Sequence, residues 1–110
     1  MPRHAMRSHA RTPPLSAVPN LGPKSAAMLE AAGITSLEQL RTLGAVAAYA
    51  RVKAAHARAS LNLLWALEGA ISGEPWQRVA REHRTSLLLA LDDHLAREAS
   101  RAPARGATLP

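Results

Sequence analysis

The chain has 110 residues, a length that fits one domain, and it contains no cysteine, which removes disulfides, thiolate chemistry and cysteine-based zinc sites. Phe is absent and Trp and Tyr together number three, so a core must be assembled from Leu, Ala, Val and Ile. An Ala-rich sequence without period-2 alternation favours closely packed helices over strands, an all-α domain. The net charge of +6 is uneven: residues 1–22 contribute +3 and residues 99–110 contribute +2, while residues 23–98 carry nine basic against eight acidic side chains, so the high charge describes the ends and excludes a strongly basic domain.

Residues 1–14, MPRHAMRSHARTPP, lack acidic residues and any apolar period and read as a disordered basic leader. They have neither the apolar stretch of a secretory signal nor the stripe of a transit peptide, and a cytoplasmic location is expected. Residues 15–98 read as the folded domain. Residues 99–110, with Ser100, Pro103, Gly106 and Pro110, read as a disordered tail.

Leu15 to Val18 has room for one helical turn before Pro19. In the segment that follows, Gly22 and Pro23 start a helix, with Pro at the position where its missing N–H is not needed. The free first-turn amides and the positive end of the helix dipole suit an anion, so the backbone around Gly22, Lys24 and Ser25 would hold a phosphate oxygen with the Lys24 ammonium beside it. A tight turn used for packing alone is the competing reading. Asn20 stands in the turn, where a left-handed backbone is tolerated better by Asn than by other side chains.

The helix from Pro23 ends at Gly33, where a Schellman cap would bring Ile34 onto Leu29. Thr35-Ser36-Leu37-Glu38 fits a capping box, opening a short helix with Leu37, Leu40 and Leu43 inward, which stops at Gly44. A third helix, Ala45 to about Ala57, spaces Val46, Tyr49, Val52 and His56 along one face; a lone Tyr there reads as a core residue with a satisfied hydroxyl. Between Glu38 and Glu68 there is no acid, but Arg41, Arg51, Lys53 and Arg58 occur. These bases form either a patch beside the turn or an ordinary solvated face.

Residues Ser60 to Ser72, SLNLLWALEGAIS, are apolar nearly all round and must be covered from several directions, so they form the central core helix, capped by Ser60 and Gly73. The run is too short to span a membrane. Its Glu68 must reach solvent, cap a neighbouring helix or pair with a base such as Arg51 or Arg58. After the turn Gly73-Glu74-Pro75, a helix carrying Trp76, Val79 and Ala80 breaks near Arg84. Ser86 then caps a final helix with Leu87 or Leu88, Leu91 and Leu95 inward and Asp92 and Asp93 in solvent. Trp65 and Trp76 are both expected to be largely buried.

From Val18 to Leu29 the sequence resembles the helix-hairpin-helix motif: hydrophobic, Pro, Gly, aliphatic, Gly, three variable positions, Ala, two variable positions, aliphatic. Asn20 replaces the first Gly. Together, NLGPKSAAMLEAAGI, LRTLGAVAAYARVKAA and SLNLLWALEGAISGEPWQRVA followed by SLLLAL resemble the C-terminal domain of the TfoX/Sxy competence regulators over about residues 18–91. The resemblance implies a small five- to six-helix domain, related to helix-hairpin-helix and SAM-like folds, in a bacterial regulator of DNA-uptake genes. In those regulators it follows a larger α/β domain without counterpart in these residues, so what transfers is a fold and a cellular context.

Catalysis finds no support: His56, His83 and His94 lack metalloprotease spacing, and no Ser sits in a nucleophile elbow. We therefore expect no cofactor, metal or small-molecule substrate. Two readings remain. One is a sequence-independent DNA-binding module that engages duplex phosphates through Asn20, Gly22, Lys24, Ser25, Arg51, Lys53 and Arg58. The other is a SAM-like module that binds a protein partner or a separate regulator domain, or oligomerises, without nucleic acid. The first requires the turn and the bases of the third helix to share one exposed face; the second requires an exposed apolar patch.

Overall fold

The computed structural model describes residues 14–107, with side chains to Ser100; all of the expected leader except Pro14 lies outside the described residues. Among these residues the protein is all helical, as expected: one 3-10 turn and six α-helices, with no strand. The turn, Leu15–Ala17, packs on α1 (Pro23–Ala31), and Leu15 and Val18 are buried there. The remaining helices are α2 (Leu37–Leu43), α3 (Ala45–Ala55), α4 (Leu61–Ser72), α5 (Trp76–Glu82) and α6 (Arg84–Ala107).

Helix α1 ends as its sequence dictates. Gly33 has φ 89°, and its amide donates to the Glu30 carbonyl at 3.0 Å while the Ile34 amide donates to Leu29 at 2.9 Å, the two bonds of a Schellman cap. Leu29 and Ile34 are both fully buried, which closes the hydrophobic contact of that motif. The capping box is displaced by one residue from the expected Thr35–Glu38. Ser36 is the N-cap and accepts from the Gln39 amide at 3.1 Å, while the Gln39 side-chain oxygen accepts from the Thr35 amide at 2.6 Å. Thr35 is one residue too early because the Schellman cap still occupies Gly33 and Ile34.

Helix α4 is the most apolar element. Leu63, Leu64, Trp65, Ala66, Leu67, Gly69 and Ala70 are buried, covered by α2, α3 and α5. Helix α3 shares the centre, packing against α1, α2, α4 and α6; its Ala45, Ala48 and Ala50 let neighbouring backbones approach closely. Tyr49 is buried and donates to the Ala59 carbonyl at 3.2 Å, so its hydroxyl is satisfied as expected, and burial pushes its pKa up. Arg84, at the start of α6, sits 5.9 Å from the ring centre of buried Trp65.

Four expectations in the C-terminal half are revised. Trp76 is only partly buried, because it sits at the first position of α5 on the edge of a groove. Helix α6 begins at Arg84, with the Leu87 amide bonded to His83, so Ser86 lies within its first turn and its hydroxyl donates back to the His83 carbonyl. Leu91 is buried, but Leu95 is 45% exposed and Leu89 64%, since α6 meets α3 and α5 only along its N-terminal part. The helical backbone also runs on to Ala107, past the expected boundary at Ala99 and through Pro103 and Gly106.

Candidate functional site

Residues 18–25 form a turn leading into α1. Asn20 is the one non-glycine residue with positive φ, 77°, among the described residues, a conformation that Asn tolerates better than other side chains do. Its side chain is fully engaged inside the molecule: the amide nitrogen donates to the Glu74 carbonyl at 2.8 Å, and the amide oxygen accepts from the Trp76 backbone N–H at 3.0 Å. The turn is thereby clasped to the α4–α5 connection. Gly69 makes room for the clasp, since a Cβ there would lie 2.5 Å from the Glu74 carbonyl oxygen and 2.8 Å from the Asn20 amide nitrogen.

Gly22 is different. It is the N-cap of α1 in an extended conformation, φ −104°, and a Cβ built on it would meet nothing within 4 Å. Gly33, Gly44 and Gly73 have positive φ and Gly69 has close neighbours, so each of these needs to be glycine for the fold; Gly22 does not. The first intrahelical bond of α1 runs from the Ala26 amide to the Gly22 carbonyl, and Pro23 has no N–H, which leaves the amides of Lys24 and Ser25 without a helical partner.

Beside this helix start lies a groove of about 690 Å³. Lys24 and Ser25 line it from α1, and His56, Arg58 and Ser60 line it from the α3–α4 loop. Ser60 caps α4 without a side-chain hydrogen bond, so the amides at the start of a second helix also lack a side-chain cap. The His56 Nε2 atom is buried and has no hydrogen-bond partner. No acidic side chain is among the described residues lining the groove, whose floor is apolar: Met28, Leu63 and Ala66, with Trp76 at the edge. Two helix starts and two basic side chains around one opening favour an anion.

The proposed interface residues are therefore divided. Asn20, Lys24, Ser25 and Arg58 line the groove, Asn20 by way of its clasp, with Gly22 at the adjoining helix start. Arg51 lies elsewhere, in a recess of about 610 Å³ shared with Arg41 and Glu38. The Lys53 ammonium donates to the carbonyls of Ala57 at 2.6 Å and Ala59 at 2.8 Å, closing the loop after α3. Of the third-helix bases, Arg51 opens onto the second recess and Lys53 is committed to loop carbonyls, so neither joins Lys24 and Arg58 in lining the groove.

Glu68 pairs with neither Arg51 nor Arg58. It is half-buried near His83 and Glu74, which bond each other at 3.0 Å; burial raises its pKa, with His83 opposing and Glu74 adding to the rise. His56, Asn62 and Trp76 are groove residues that sequence reasoning did not assign to a binding site. The only local signal was the Ser60 cap, which marks where α4 begins but not what it faces. Among the described residues, no group of three or more His, Asp or Glu is placed to hold a metal ion, and no helix is long and apolar enough to cross a membrane.

Among curated proteins, none matches the chain. Two crystal structures from Listeria monocytogenes are similar. One, of an uncharacterized protein, is 29% identical with a TM-score of 0.64, the match covering 68% of this chain and 85% of that one. The other, of a protein of unknown function, is 30% identical with a TM-score of 0.62, covering 66% and 90%. The model of the TfoX C-terminal domain matches residues 11–91, the stretch that contains the clasped turn, the groove and the central helix, and the chain belongs to that family.

Proposed function

We propose that this domain is a non-catalytic module that holds duplex DNA by its phosphates, without reading sequence, at the start of α1, and that it serves a regulatory role of the competence type associated with its family. The observation that carries this reading is Gly22. A glycine that neither backbone angle nor packing requires, placed at a helix start between a free amide pair and Lys24, leaves space for another molecule's backbone to come close. Arg58 and the uncapped start of α4 add positive potential to the same opening. Contacts of this kind use point charges and amides and reach no base edge, so affinity falls with salt and is indifferent to sequence.

The test is Gly22→Ser. Ser is a good N-cap and the site has room for its Cβ, so stability is expected to hold or rise, while the new hydroxyl occupies the amides and crowds the opening. Binding of the full chain to a mixed-sequence duplex should weaken several-fold. Lys24→Ala should weaken it uniformly across sequences and flatten the salt slope by about one unit. Arg97→Ala, at an exposed pair with Asp93 on α6, serves as the control. Unchanged affinity in both groove variants would remove the reading.

A second reading, a protein-interaction or oligomerisation module, draws on Leu89 and Leu95, two large apolar side chains left exposed on α6. It predicts a concentration-dependent mass in solution that Leu89→Lys abolishes.

A further inference from the structure

The phosphate reading leaves half of the groove unused. A duplex phosphate needs only the helix starts and the cations, yet behind them lies an apolar floor of Met28, Leu63 and Ala66 edged by Trp76. A volume of about 690 Å³ is within the ordinary range of small-ligand pockets, roughly 300–1,000 Å³. Trp76 is partly exposed there, whereas the other tryptophan, Trp65, is buried in the core.

Trp76 is also held in fixed relation to the phosphate end. The amide oxygen of Asn20, two residues before Gly22, accepts from the Trp76 backbone N–H, and the other end of the same side chain binds Glu74. Gly69, lacking a side chain, permits this approach. One asparagine thus ties the anion-binding turn to the aromatic edge, so an anionic group and a flat apolar group joined by a short linker meet a prearranged pair of surfaces. His56, whose Nε2 is buried without a partner, and exposed Asn62 place hydrogen-bonding side chains along the wall.

From this juxtaposition we infer that the groove accommodates an unpaired nucleotide, its phosphate at the α1 start between Lys24 and Arg58 and its base against Trp76 and the apolar floor. Single-stranded DNA, or a duplex end with an unpaired overhang, is then the preferred partner over intact duplex. Stacking on an aromatic face accepts any base, so the preference is for strandedness and not for sequence. The inference rests on the phosphate reading above, and its test separates the two.

Full-length protein is titrated with a 20-nucleotide oligo-dT, an abasic oligomer of the same length and a blunt 20-base-pair duplex, following tryptophan emission and, by anisotropy of a labelled strand, affinity. Oligo-dT is expected to bind more tightly than the other two and to change the indole emission. Trp76→Leu should weaken oligo-dT binding by about 5- to 150-fold, the range that corresponds to the usual stacking contribution per base, and leave abasic binding unaltered. Trp76→Phe, which retains a ring, should recover part of the loss and also guards against poor folding of the Leu variant.

Equal affinity for all three ligands with no emission change would overturn the inference while leaving the phosphate reading intact, provided Lys24→Ala still weakens each. Loss of any Lys24 dependence would remove both. An emission change caused by an acidic amphipathic peptide and by none of the oligonucleotides would assign the groove to a protein partner and overturn the inference as well.

Discussion

Asn20 combines two jobs that a glycine at this position cannot. It adopts φ 77°, and its side chain bridges residues 54 and 56 positions further along the chain. Asn20→Gly keeps the backbone geometry and removes both bonds, leaving the part-buried Glu74 carbonyl and Trp76 amide without this partner, so a loss of about 1–3 kcal/mol is expected in denaturant melts. A loss below about 0.5 kcal/mol would mean that water replaces the amide at no cost. Glu68 offers a pH test. Burial holds its folded-state pKa above the usual carboxylate value, so the native state binds this proton more tightly than the unfolded chain does. The contribution is present below the ordinary carboxylate range and is lost as pH rises through the raised value. In a pH series of denaturant melts, Glu68→Gln should lack that decline and match or exceed the wild type at neutral pH.

At the scale of elements, α4 derives its stability from being enclosed. Leu64 is fully buried and lies on a helix covered by α2, α3 and α5, so Leu64→Ala is expected to destabilise by about 2–5 kcal/mol through lost transfer energy and the cavity left behind. Equilibrium urea unfolding measures this, and a change under about 1 kcal/mol would remove α4 from the centre of the core. Helix α3 contributes differently. Its alanines bury little surface each but bring four other helices close, and Tyr49 and Lys53 both bond the Ala59 carbonyl, which fixes the loop that presents His56 and Arg58 to the groove. Helix α6 is the least integrated. Leu91 is its one buried residue in the described part, and beyond it Asp93 and Arg97, then His94 and Glu98, pair along the helix surface, contacts of small value in water.

For the molecule as a whole, the two ends of the described chain are unequal. Leu15 and Val18 are 1% and 4% exposed and pack on α1, whereas every side chain described after Leu91 is exposed or half-buried. Removing residues 101–110 should therefore shift stability by less than about 0.5 kcal/mol. Removing residues 1–18 should cost several kcal/mol, at about 1.5–3 kcal/mol for each large apolar side chain taken from the core. Thermal melts of the two truncations check this, and equal midpoints would show that the 3-10 turn is an appendage. Loss of the turn should also loosen Asn20, coupling this end of the fold to the groove.

Some of this was decided within a few residues and was therefore legible in the chain. The Schellman cap at Gly33 and Ile34, the Gly73 terminus, the left-handed Asn20 and the all-α class depend on hydrogen bonds between near neighbours and on the turn-by-turn spacing of apolar residues. Even there, the capping box moved by one residue, from Thr35 to Ser36, directly after the Schellman cap. The groove was not legible, because Lys24, Arg58 and Trp76 come from three separate stretches and meet only once α1 and α4 have packed on α3 and α5 on α4. Sequence spacing placed Arg51, Lys53 and Arg58 in one basic run. Packing separated them, turning Arg51 to another recess and tying Lys53 to loop carbonyls, since the direction each side chain takes depends on how α3 rolls against four neighbours and not on the residues beside it.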